Sequence, residues 1–188
     1  PSPRPGRRSA RPDDGTDLVQ SSASFALPEN VEHLTLTGGA AIDGTGNALD
    51  NMLTGNSAAN RLAGGAGSDT YIVEHPGDVV FERVGEGRDL VQSAVSFVLA
   101  EHVEDLLLTG FAASNGTGNA LDNRLTGNKA ANVLTGGGGN DVYIVDRAAD
   151  VVIERSGEGV DEIRASASYV LPAHVENLAL EDSSPING

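Results

Sequence analysis

The sequence predicts an all-β protein, a right-handed parallel β-helix solenoid with about 18 residues per coil and a 72-residue superrepeat. Three observations predict it. Asp17-Leu18-Val19-Gln20-Ser21 recurs as Asp89-Leu90-Val91-Gln92-Ser93, 72 residues later, and the same shift maps most of the chain. Within each unit a glycine, an Asn or Asp, and one large apolar residue return about every nine positions. The composition supplies no thick core: aromatic residues make up 4%, Trp is absent, and 24 glycines sit among Leu, Val, Ile and Ala, which suits many thin, similar layers.

Taken in order, residues 1–12 hold Arg4, Arg7, Arg8 and Arg11 with no acid and three further prolines after Pro1, and read as a disordered basic leader without the apolar run of a signal peptide. Residues 13–88 form the first repeat unit, 89–160 the second and 161–188 a partial third, all in one continuous solenoid. Gly44 to Asn51 returns unchanged at Gly116 to Asn123, and Tyr71-Ile72-Val73 returns as Tyr143-Ile144-Val145. The third copy passes through Val175-Glu176-Asn177-Leu178 and stops mid-unit at Gly188, as expected of a segment of a longer array.

Inside a unit the finer rhythm is Gly46, Gly55, Gly64, then Asn51, Asn60, Asp69, then Leu53, Leu62, Tyr71. The second unit repeats it with Gly118, Gly127, Gly136, with Asn123, Asn132, Asp141, and with Leu125, Leu134, Tyr143. A period of nine is neither helical nor simply alternating; it fits a turn plus a short strand, with glycine free to take left-handed angles, Asn or Asp closing the turn, and the large residue pointing inward. Two such segments make a coil, and coils stack as parallel strands at roughly 4.8 Å. The stretches Val31 to Thr37 and Asp78 to Glu82 also read as strands. A helical turn over Asn30 to Leu36 is opposed by the alternation of Val and Leu in its copies, His102 to Leu108 and His174 to Leu180.

The net charge is −15, and outside the leader 27 acids face 8 bases. Such a body excludes nucleic acid, whose binding needs cationic surface, and favours a cation as partner. Cysteine is absent, so neither disulfides nor thiolates hold the chain, and no apolar run approaches the roughly 20 residues of a membrane span.

Gly64-Gly65-Ala66-Gly67-Ser68-Asp69 and Gly136-Gly137-Gly138-Gly139-Asn140-Asp141 read G-G-x-G-x-D, followed by any residue and a large apolar one. This resembles the nonapeptide repeats of haemolysin-type, or RTX, calcium-binding proteins, which form parallel β-rolls. The resemblance implies that each turn offers backbone carbonyls and an Asp carboxylate, and that Ca2+ is clamped between turns stacked on the same edge. Calcium takes six to eight oxygens at about 2.3 to 2.6 Å, and bare glycine turns can aim several carbonyls at one point. Same-edge partners should come about 18 residues on, and Gly85-Glu86-Gly87-Arg88-Asp89 and Gly157-Glu158-Gly159-Val160-Asp161 stand 20 residues on. The candidate metal pairs are therefore Asp69 with Asp89 and Asp141 with Asp161, together with Gly64, Gly65, Gly67, Gly85, Gly87, Gly136, Gly137, Gly139, Gly157 and Gly159. Asp13-Asp14-Gly15-Thr16-Asp17 is a weaker form of the second turn, and Asp50 and Asp122 are additional candidates. The turns at Gly46, Gly55, Gly118 and Gly127 depart from the pattern, with Asn at positions two and six and Leu or Ala at the third glycine. They are expected to close without an ion, by Asn side chains bonding backbone, which leaves roughly one to three ions per unit. The competing reading is a solenoid free of ions throughout, in which Gly and Asp only make tight turns.

Catalytic candidates are weaker. His102 and His174 share a position with Asn30, and His75 is replaced by Arg147, so the four histidines, His33 among them, read as surface residues. The serines form no nucleophile elbow, Gly44-Thr45-Gly46 lacks the rest of a phosphate loop, Glu101 and Glu104 read as rim charges, and turn formation explains Asn115-Gly116-Thr117 without a sugar. The expected function is a non-catalytic, calcium-binding structural segment of a secreted or surface bacterial protein of adhesin, matrix or filament type. It would stay unfolded in a low-calcium cytoplasm, leave by a type I secretion channel and fold outside. The alternative, which the family resemblance implies, is an accessory module of a secreted protease, lipase or alginate epimerase. Further copies of itself or neighbouring repeats are the other expected partners, because open solenoid ends expose strand edges.

Overall fold

The structure, a computed structural model, describes residues 15–181; the leader at 1–12 and the pair Asp13 and Asp14 lie outside that range. Within it every regular element is a strand, and all strand pairs are parallel. One face of the solenoid is a ten-stranded sheet that runs, in stacking order, through Leu18–Ser21, His33–Leu36, Met52–Thr54, Thr70–Val73, Leu90–Ser93, Asp105–Leu108, Arg124–Thr126, Val142–Val145, Glu162–Ala165 and Asn177–Leu180. The other face is two four-stranded sheets. The first stacks Phe25–Ala26, Gly44–Thr45, Arg61–Ala63 and Val79–Val80, and the second stacks Phe97–Val98, Gly116–Thr117, Val133–Thr135 and Val151–Ile153. The strands are shorter than composition suggested: His33–Leu36 within 31–37 and Val79–Val80 within 78–82.

Register explains the superperiod. Leu18, His33, Met52, Thr70 and Leu90 are successive partners, at spacings of 15, 19, 18 and 20 residues. From Leu90 the series repeats through Asp105, Arg124, Val142 and Glu162. Four unequal coils thus close each 72-residue unit, and the mean of about 18 hides one short coil and one long one.

Alternation sends every second residue of a strand inward, two in the four-residue strands such as Leu34 and Leu36, and register stacks those residues on each other. Leu34, Leu53, Tyr71 and Val91 form such a row, continued by Leu106, Leu125, Tyr143 and Ile163, none more than 1% exposed. Leu62, Val80, Leu134 and Val152 face them from the smaller sheets. Gly44 must be glycine in that second row, since a methyl there would come within 3.0 Å of Leu34 and 3.2 Å of Leu62. The short coil turns through Asn30, His102 and His174, which hold left-handed φ of 64°, 68° and 67°. That conformation tolerates Asn and His better than branched residues, so two of the four histidines serve the backbone. The long coil contains Glu82 to Asp89, and there the smaller face breaks between Val80 and Phe97.

Candidate metal centre

The turns that precede the ten-stranded sheet are stitched by a ladder of side-chain oxygens. The N–H of Asn51 donates to Asp69 Oδ1 at 2.6 Å, that of Asp69 to Asp89 Oδ1 at 2.8 Å, and that of Asp89 to Glu104 Oε2 at 2.9 Å. In the second unit Asn123, Asp141 and Asp161 donate in the same way to Asp141, Asp161 and Glu176, at 2.7, 2.8 and 2.8 Å. Each acid therefore spends one oxygen on the coil before it.

What the other atom does separates the Asn turns from the Asp turns. Asn51 Nδ2 donates to the carbonyls of Val31 and Glu32, both at 3.2 Å, while Asn60 and Asn132 donate to those of Ile42 and Ser114 at 2.7 Å. Their Oδ1 atoms accept from the N–H groups of Asn47, Asn56 and Asn128. An amide with both ends bonded needs no ion, so the Asn turns close by the side-chain bonding expected of them. Asp69 Oδ2, Asp89 Oδ2 and Asp141 Oδ2, by contrast, are buried with no hydrogen-bond partner. A buried carboxylate oxygen left alone is costly, and a bound proton or a cation relieves it.

A third carboxylate completes each cluster. Glu82 joins Asp69 and Asp89, and Glu154 joins Asp141 and Asp161, with one oxygen from each acid lying within 4.8 Å of the others. Two ligands on opposite sides of a calcium ion at about 2.3 to 2.6 Å stand about 4.6 to 5.2 Å apart, so these oxygens fit one ligand shell. Glu82 and Glu154 lie outside the glycine-rich turns, and no motif in the sequence marks them as ligands. Each follows an inward valine, Val80 or Val152, by two residues, and strand alternation carries the same inward direction on to the glutamate. One oxygen of Glu82 accepts the Tyr71 hydroxyl, and Glu154 accepts that of Tyr143. The remaining oxygen of each, Oε2, is buried and unpartnered.

Burial and like charge act together on these acids. Asp69 is pushed up to about 7 and Glu82 to about 8, in both cases first by burial and then, against a backbone hydrogen bond, by the neighbouring carboxylates. Burial likewise lifts Asp89 to about 6 and Asp141 to about 7, and raises Glu154 and Asp161. Burial and the bond to Glu154 also drive the Tyr143 phenol up, so it remains a proton donor. Without a cation, protons must neutralise the clusters.

The predicted glycines frame the clusters. A methyl on Gly64 would collide with Asp69 Oδ2 and the Tyr71 hydroxyl, and one on Gly136 would collide with Asp141 Oδ2 and the Tyr143 hydroxyl. Gly65, Gly67, Gly137 and Gly139 take φ of 99°, 117°, 103° and 110°, open only to glycine at low cost. Gly85 and Gly157, at 77° and 86°, turn the long coil, where the Arg83 and Arg155 N–H groups donate to Glu86 and Glu158 at 2.8 Å. Gly87 and Gly159 lie against the carbonyls of Gly67 and Gly139, where no side chain fits. The structure thus brings Asp69 to Asp89 and Asp141 to Asp161. Asp50 and Asp122 stay apart, accepting the Ser68 and Asn140 N–H groups at 2.7 and 2.6 Å on the exposed rim. Asp17, in the weaker first turn, donates its N–H to Glu32 at 2.8 Å and belongs to neither cluster.

Comparison with known proteins agrees with this geometry. Residues 45–73 and 117–152 match a family described as the RTX calcium-binding nonapeptide repeat, in four copies. The chain is also 39% identical over 67 residues to an endo-1,3-1,4-beta-glycanase, ExsH, of Rhizobium meliloti (strain 1021). That match covers 35% of the chain and spans 14% of the length of this curated relative. No solved structure matches the chain.

Proposed function

The chain carries nonapeptide repeats of the RTX calcium-binding type, and from that premise we propose that it is a non-catalytic module whose fold is completed by calcium, one ion per superrepeat. The observation that carries the proposal is the pair of buried clusters in which Asp69, Glu82, Asp89, Asp141 and Glu154 each keep one carboxylate oxygen without a partner. The ligands are Asp69, Glu82 and Asp89 in one unit and Asp141, Glu154 and Asp161 in the next. Calcium supplies the positive charge that three converging carboxylates demand. A hard ion with oxygen-only ligands and flexible coordination fits better than magnesium, which keeps its waters and demands an octahedron.

The chain's own residues set the switch. Ion-free, the acids of each cluster repel and the glycine turns lose much entropy on ordering, so the unfolded chain competes. An ion at 100 times its dissociation constant adds about 2.7 kcal/mol per site, which is a large share of a marginal stability. That behaviour suits a protein exported unfolded from a low-calcium cytoplasm and folded in a calcium-rich exterior. We place the module in a secreted or surface bacterial protein, as a spacing element in an array of such units. The partial likeness to a glycanase favours a second reading, an accessory module attached to a secreted enzyme. Far-ultraviolet circular dichroism with calcium and with chelator tests the switch. A β-rich spectrum that needs calcium is expected; a spectrum equally β-rich in chelator contradicts it.

A further inference from the structure

We infer that each ion sits inside the coil, with Glu82 and Glu154 as ligands aimed by the hydroxyls of Tyr71 and Tyr143, so that it ties the two faces of the solenoid together instead of joining two rim turns alone. The inference rests on the calcium reading above and adds to it the positioning role of the two tyrosines and the link between the two faces.

Tyr71 stands at the eighth position of its nonapeptide, where Leu53, Leu62, Leu125 and Leu134 stand in theirs. The exchange of Leu for Tyr occurs only at Tyr71 and Tyr143, in the two nonapeptides that carry Asp at position six and a glutamate 11 residues beyond the tyrosine. An apolar row does not need a hydroxyl, and a buried one must find partners. Here it finds two of them. It accepts the Gly64 N–H at 2.6 Å and donates to Glu82 Oε1, which the same N–H approaches at 3.3 Å. With Oε1 held from behind, Oε2 is left bare, as are Asp69 Oδ2 and Asp89 Oδ2, and the three acids each bring an oxygen within 4.8 Å of the others. Tyr71 is 0% exposed and Glu82 is 4% exposed, so the arrangement lies beneath the turn, against the apolar core. Glu82 ends a pass of the smaller sheets, whereas Asp69 and Asp89 lead into strands of the large sheet. An ion held by all three therefore spans the section of the coil at the point where the smaller face is interrupted.

The tyrosines are positioning residues and do not touch the ion. Orienting groups of this kind typically change metal affinity 10- to 100-fold. The test uses the whole chain with terbium, a calcium substitute whose emission is sensitised by a nearby tyrosine, and calorimetry with calcium. The chain has three tyrosines, and the third, Tyr169, donates to the Asp150 carbonyl at 3.0 Å, away from the clusters. Tyr71→Phe is expected to lower calcium affinity at one site roughly 10-fold or more and to remove that site's terbium emission. Glu82→Gln keeps the donor, so emission should persist at saturation, with weaker binding and more bound water, read from terbium lifetimes in light and heavy water. The untouched second unit reports folding in each variant, and Tyr169→Phe should change nothing. Calcium affinity and terbium hydration unchanged in both Tyr71→Phe and Glu82→Gln would put the ion at the rim and overturn the inference. A lowered melting temperature with unchanged affinity would overturn it as well, by making the pair merely structural. No calcium uptake by the unaltered chain would instead remove the reading beneath it.

Discussion

A single atom decides whether a turn of this solenoid closes alone. At position six an asparagine gives its amide to a carbonyl of the coil before it, while an aspartate at the same place has an oxygen left over. Asp69→Asn with Asp141→Asn should therefore stabilise the ion-free protein at pH 8 and shrink the gain in melting temperature on adding calcium, both readable by thermal melts. The pH dependence follows from the same acids. Their folded-state values, about 6 to 8 in the first unit, lie above the roughly 4 of an unfolded chain, so the ion-free fold binds more protons than the unfolded one. The contribution of these acids to its stability is accordingly full in acid and is lost as pH rises from about 4 through about 8. Calcium competes with those protons, so its affinity should climb roughly 10-fold or more between pH 6 and pH 8. Calorimetric titrations at the two values check this; an affinity that falls with pH would contradict the assignment of these acids as ligands.

Coils, the elements of this fold, were partly legible in the chain. The nonapeptide turns could be read because Gly and Asn or Asp at fixed offsets have a backbone reason, and inward Leu53, Leu62 and Leu125 were read from their spacing. The unequal coils could not be read, because a nine-residue count describes only the glycine turns. The short coil depends on left-handed Asn30 and His102, and the long one on the Arg83 to Glu86 turn. Glu82 was hidden for a different reason: a strand of β-rich composition draws attention to its valines, and a glutamate at its end passes for a solvent residue. The Asp69 and Asp89 pairing was legible because turns on one edge stack. Every layer leans on its neighbours, so Leu125→Ala, which empties a fully buried place between Leu106 and Tyr143, should cost about 2 to 5 kcal/mol in denaturant unfolding. Gly64→Ala should do more selective harm, since the methyl invades the cluster itself, abolishing calcium binding in the first unit while leaving the second.

Across the described residues the 72-residue repeat becomes a repeat of buried carboxylate clusters. Four strand spacings separate equivalent clusters, which places them about 19 Å apart along the axis. Between them lie Asn-closed coils, so the proposed calcium sites fall at intervals, where the long coil interrupts the smaller face. A solenoid of thin layers has only nearest-neighbour contacts, and fixing one coil per unit limits how far an opening can spread. The most direct measurement is the anomalous scattering of crystals grown with calcium. One peak is expected in each unit, within about 2.3 to 2.6 Å of oxygens from Asp69, Glu82 and Asp89 and from Asp141, Glu154 and Asp161. Peaks confined to the rim near Asp50 and Asp122, or ordered carboxylate clusters with no peak at saturating calcium, would contradict it.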